Sequence, residues 1–212
     1  MSIAVDNDIL HKGSGYGLLQ EMINLIPAQV HEVNVLRTAK FVVTDKLRKA
    51  NLADALSKFQ QFIQRVQCVE PTASEAILAA ELEYEAQCAS LSFDTGESLL
   101  CAIAIKRSFS FLVTGDKRAI NSLERLILAS LRNEIIKLAG KVICLEQLMF
   151  RMVNNSDARS IQRAICAQPR LDKTLSICFS CTSPEVGPES WLQCLTSYIS
   201  ELRSSASTIL AH

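Results

Sequence analysis

The sequence predicts a helix-rich α/β fold in three layers: a central parallel sheet of about four to five strands with helices on both faces. Three observations lead there. Short β-prone runs are apolar on consecutive residues instead of alternating, as in strands covered on both faces. Longer segments between them repeat apolar residues at helical spacing. Only seven glycines and five prolines occur among 212 residues, so few places interrupt a helix.

Taken in chain order, residues 2–5 read as the first strand and residues 41–44 as the second. Leu52, Leu56, Phe59, Phe62, Ile63 and Val66 then recur at helical spacing. Thr72 with Glu75 has the spacing of a capping box and starts another helix. Residues 109–114 form the third strand, and Asn121 with Glu124 caps a helix carrying Leu123, Leu126, Ile127, Leu131 and Ile135 that Gly140 stops. Residues 141–145 form a further strand, and Trp191, Leu195, Tyr198, Ile199 and Leu202 line a late helix. Prolines cluster late, which divides the chain into a main domain over 1–150 and a C-terminal helical extension over 151–212.

Hydrophobic residues make up 49% of the chain and charged residues 21%, which excludes global disorder. Lysine plus arginine equals aspartate plus glutamate at 22 each, so no field of the whole molecule draws in nucleic acid or an anionic membrane. The eight cysteines sit mostly in apolar runs and read as free thiols. With no signal-peptide pattern at Met1 and no apolar run of about 18 residues, the expectation is a cytoplasmic protein without a membrane span.

In an open parallel sheet, ligands bind beyond the carboxyl ends of the strands. Asp6 and Asp8 follow the first predicted strand, Asp116 follows the third, and Glu97 opens the helical run before it. Carboxylates gathered in one place repel unless a dication lies between them, and Mg²⁺ or Mn²⁺ takes such hard oxygen ligands.

Three fragments carry a resemblance. "VDNDIL", "FDTGESLLCAIAIK" and "LVTGDKRAI" occur in that order, with 116 − 97 = 19 residues from Glu97 to Asp116, room for a helix and a strand. Over residues 1–150 the chain resembles the PIN-domain family of metal-dependent ribonucleases. The resemblance implies that Asp6, Glu97 and Asp116 are the catalytic, metal-binding acids, with Mg²⁺ or Mn²⁺ as cofactor and single-stranded or structured RNA as substrate. Asp8 is a supporting candidate. A further family acid finds its nearest counterpart in Asp45, with Asp54 less well placed. Lys12, Lys106, Arg107, Lys117 and Arg118 lie near these segments and are candidates for gripping flanking phosphates. The family also contains toxins, which leaves an antitoxin, another protein partner or a homodimer open as further partners.

Bland readings stand beside these. Asp94 with Glu97 has capping-box spacing, Gly115-Asp116 is a common turn, and Glu146 reads as a surface residue of the helix after the last strand. Cys178 and Cys181 form a single CxxC without the second pair that a zinc site needs, and "GSGYG" lacks the ending of a phosphate loop. Two rivals remain. One is a noncatalytic PIN-like module that binds nucleic acid or protein. The other is a haloacid-dehalogenase-like phosphatase, in which Asp6 attacks phosphorus and Asp8 acts as acid or base; against it, Asp116 is followed four residues on by Ile120 and then Asn121, not by an aspartate.

Overall fold

The computed structural model describes residues 1–127, 131–183 and 185–212. The strands are β1 (Ile3–Val5), β2 (Val33–Leu36), β3 (Gln67–Val69), β4 (Phe111–Thr114) and β5 (Val142–Cys144). They form one parallel sheet in the order β3-β2-β1-β4-β5. Helices α1 (Asn7–Gly15), α2 (Leu19–Asn24), α3 (Ala39–Lys49) and α4 (Ala53–Ile63) come from the first half of the chain. Next come α5 (Ala73–Cys88), α6 (Thr95–Lys106), α7 (Lys117–Leu126) and the short α8 (Arg132–Ile135). The chain ends with α9 (Leu145–Asn155), α10 (Ala158–Ala167), α11 (Lys173–Cys178) and α12 (Pro188–Ser205).

Strand side chains alternate between two cores, which is why the strands read as continuous apolar runs. Ile3, Val5, Val33, Val35, Val113 and Ile143 enter the core made with α1–α4 and α9–α12. Ala4, Leu36, Leu112, Val142 and Cys144 enter the core made with α5, α6 and α7. The expected three-layer α/β architecture is therefore present.

Four sequence-based expectations are corrected. Residues 41–44 lie inside α3, because Ala39, Val43 and Leu47 repeat at four-residue spacing and are wholly buried, while Phe41 and Val42 face outward. The second strand is instead β2, and β3 follows it. The helix expected from Asn121 begins earlier, with Asp116 as its cap, and Asn121 lies within α7 and accepts a hydrogen bond from Ser205 Oγ at 2.7 Å. The path of that helix from α7 to α8 crosses residues 128–130, outside the described residues. Finally, Cys166 and Cys181 are joined by a disulfide, so not all eight cysteines are free. The Thr72–Glu75 capping box is formed as expected.

Residue 150 falls inside α9, and residues 209–211 return to β5, where Val142 N donates to Ile209 O and Ala211 N to Val142 O. No helix among the described residues is long and apolar enough to cross a membrane.

Candidate active site

From β1 the chain proceeds outward to β2 and β3, then returns to lay β4 on the other side of β1. The strand order reverses between β1 and β4, so their carboxyl ends flank the crevice where open α/β sheets bind ligands. Asp6 and Asp116 occupy those two ends.

Asp6 caps α1, with Oδ1 accepting from Asn7 N at 2.7 Å and Oδ2 from Thr114 Oγ1 at 3.0 Å. Thr114, buried at the end of β4, in turn accepts from Asp116 N at 3.2 Å, so one hydroxyl bridges the two acids. Asp116 caps α7 through Arg118 N and Ala119 N at 2.8 and 3.4 Å. Its oxygens also accept from the Arg118 guanidinium, from Nε at 3.2 Å and Nη2 at 2.7 Å. Glu97 arrives on the first turn of α6, where it and Asp94 complete a reciprocal capping box at 2.9 Å in both directions. The capping role is thus real, and it leaves Glu97 facing the same cleft.

That cleft has a volume of about 680 Å³. Its acidic lining is Asp6, Asp8, Asp94, Glu97 and Asp116, its cations are Lys46 and Arg118, and Leu36, Val42 and Leu99 form an apolar wall. Asp6 and Glu97 also border one small void deeper in the fold, between α6, β4 and α7.

Burial first, and then the neighbouring Asp8 carboxylate, push Asp6 up to about 6 against the hydrogen bonds it accepts. Burial likewise pushes Glu97 up to about 8, and the charges of Asp94, Asp116 and Asp6 add to it despite the amide of Asp94. Burial also works against the charge on Asp116, but the Arg118 side chain and amide outweigh it and hold this carboxyl below its usual range. The acids therefore sense one another, and the two without an arginine partner are the two whose charge is disfavoured.

Asp8 lines the cleft on α1 but is engaged by Lys12 Nζ at 2.6 Å. Gly115 makes that placement possible, since a Cβ there would collide with Asp8 Oδ2. Asp45 does not line the cleft; it lies exposed on α3, paired with Lys49 at 2.6 Å.

Of the five basic candidates, four do not line the cleft, and each of those four is paired with a carboxylate. Lys12 is held between Asp8 and Asp172, both at 2.6 Å. Lys106 reaches Glu134 at 3.4 Å, and Arg107 forks onto the buried Glu75 through Nε and Nη2 at 2.7 and 2.9 Å. Lys117 pairs at 2.7 Å with Glu146, buried and not on the surface, and lies 4.5 Å from the centre of the Tyr198 ring. Of the five, Arg118 lines the cleft.

Sequence reasoning missed Thr114, Thr38, Val42 and Lys46. The last three follow from one misassigned element: on a helix, residues 38, 42 and 46 share a face at four-residue spacing, a pattern visible in the sequence once residues 41–44 are not taken as a strand.

The donor set is hard oxygen of the kind that Mg²⁺ and Mn²⁺ take. Among the described residues, no group of three or more His, Cys, Asp or Glu stands close enough together to hold a metal ion. Mg²⁺ usually keeps several waters and takes only one or two carboxylates plus substrate phosphate, so the chemistry of this lining does not by itself conflict with such an ion. Comparison with known proteins returns no match for this chain, whether among family models, curated proteins or solved structures.

Proposed function

We propose that the protein is a metal-dependent ribonuclease whose cleft hydrolyses phosphodiester bonds of RNA. The observation that carries this reading is that Asp6, Glu97 and Asp116, distant in sequence, line one cleft at the reversal point of a parallel sheet. The order of the three acids along the chain is also that of the PIN-like resemblance.

Asp6 and Glu97 would hold Mg²⁺ or Mn²⁺, and a bound dication supplies Lewis acidity and a water of lowered pKa. The protein's own side chains do the positioning. Arg118, fixed by Asp116, and Lys46 on the opposite wall offer cationic contacts to a phosphodiester. Thr114 keeps Asp6 and Asp116 in register. The apolar wall of Leu36, Val42 and Leu99 gives a base or ribose a surface that sheds water. In this reading the enzyme acts in the cytoplasm, and an antitoxin or a second copy would be its protein partners.

Purified protein should cleave single-stranded RNA with Mn²⁺ or Mg²⁺ and lose that activity with Asp6→Asn or Glu97→Gln while remaining folded. Retained cleavage by either variant would sink the assignment. A second reading, the noncatalytic PIN-like binding module, is favoured by the Arg118 grip on Asp116, which neutralises one of the three acids. RNA binding without cleavage in any metal would select it, and hydrolysis of a small phosphate ester alone would select the phosphatase.

A further inference from the structure

Four of the eight cysteines meet in the C-terminal helices, away from the cleft. Cys166, on α10, is bonded to Cys181, just beyond α11. Cys178 ends α11, and its Sγ lies 3.0 Å from Sγ of Cys194 on α12. Cys178 is 1% exposed and packs in the core with Phe179, Trp191 and Leu195, whereas Cys194 is partly open to solvent. Two sulfurs this close have no room for an atom between them, and no third ligand among the described residues makes the pair a metal site.

We propose that Cys178 and Cys194 are an oxidation site, converted by a low-molecular-weight disulfide such as oxidised glutathione into a second cross-link that staples α11 to α12. The solvent-facing Cys194 gives up its proton and attacks one sulfur of glutathione disulfide. That S–S bond breaks, and the first glutathione leaves as a thiolate that takes up a proton. Cys178 then gives up its proton and attacks Cys194 Sγ in the mixed disulfide, releasing the second glutathione. Two protein thiols are oxidised and one small disulfide is reduced to two thiols. Burial raises the Cys178 thiol well above its ordinary range, so this second step is the slow one and speeds up with pH.

The site is independent of the ribonuclease reading, but the other end of α11 is tied to a side chain beside the cleft. Asp172 caps α11 by accepting from Leu175 N at 2.8 Å and also holds Lys12 beside Asp8. A staple at the far end of α11 fixes the short helix from which that contact is made.

The test uses the full chain with the Cys166–Cys181 bond intact. Exposure to oxidised glutathione should lower the intact mass by the two hydrogens lost and yield a peptide pair joining Cys178 to Cys194. The melting temperature should rise by roughly 5–10 °C, reversibly with dithiothreitol. Cys178→Ser should instead trap one glutathione on Cys194, and Cys194→Ser should take up none at Cys178. Any of three results would overturn the proposal: both cysteines still alkylated as thiols after exposure, a cross-link from either to a different cysteine, or a zinc ion in the native mass spectrum.

Discussion

Replacing Asp6 by Asn removes the charge that the fold disfavours and keeps the shape and the hydrogen bonds. Asparagine can still cap α1 through its carbonyl oxygen, and the Thr114 hydroxyl can turn to accept from the new amide. A carboxyl at about 6 in the folded protein, against 3.8 ordinarily, holds its proton more tightly when folded. Its ionisation therefore costs stability in full above about pH 6, and the cost fades as the pH falls toward 4. The difference corresponds to about 3 kcal/mol, which relaxation and water entry around a buried carboxylate reduce to about 1–3 kcal/mol. Metal-free Asp6→Asn should thus be more stable than the parent at pH 8 by that amount and by only about a third of it at pH 4.5, as read by urea denaturation in EDTA at both pH values. A variant equally or less stable at pH 8 would refute the crowding argument, whatever its activity.

Glu97→Gln should abolish metal-dependent cleavage with little loss of stability at neutral pH, since glutamine satisfies the capping box with Asp94 as well as glutamate does; a large drop in melting temperature would make capping its main role. Arg107→Ala should cost about 2–3 kcal/mol by denaturant titration at pH 7, because it strands the buried Glu75 carboxylate. Glu75 is held down at about 2, chiefly by hydrogen bonds from Arg107, so its contribution is present above pH 4.5 and lost as the pH falls toward 2; the acid limb of the parent's stability curve should flatten in Arg107→Ala. Lys117→Ala should be destabilising by roughly 3 kcal/mol through the orphaned Glu146, and whatever fraction stays folded should bind RNA with undiminished affinity in a filter-binding assay.

The architecture was legible where one physical signal dominated. Residues of β1, β4 and β5 are apolar on consecutive positions because both cores need them, and all three strands fall within predicted runs. The missed strands lack that signature. In β2, Asn34 interrupts the run, and its burial is tolerated because its amide donates to Ile3 O and Glu32 O at 3.2 and 2.8 Å. The edge strand β3 is three residues long and begins with exposed Gln67 and Cys68. Conversely, the β-prone residues 41–44, one aromatic and three β-branched, were decided by the helical register of Ala39, Val43 and Leu47.

For the site, a strand-end rule points to Asp6 and Asp116, and both line the one cleft, since the rule depends only on topology. The basic residues failed the same inference because closeness in sequence to an acid does not say which carboxylate a long side chain will choose. Lys12 is shared between Asp8, one helical turn away, and Asp172, and Lys117 pairs with Glu146; Asp172 and Glu146 come from segments that sequence distance could not connect to them.

Crystals soaked in Mn²⁺ and examined by anomalous diffraction test the central claim most directly. A single peak should appear in the cleft with carboxylate oxygens of Asp6 and Glu97 at about 2.1–2.3 Å, as hard dications demand. No peak there, or one on a different set of residues, would contradict the claim that these acids form a metal centre.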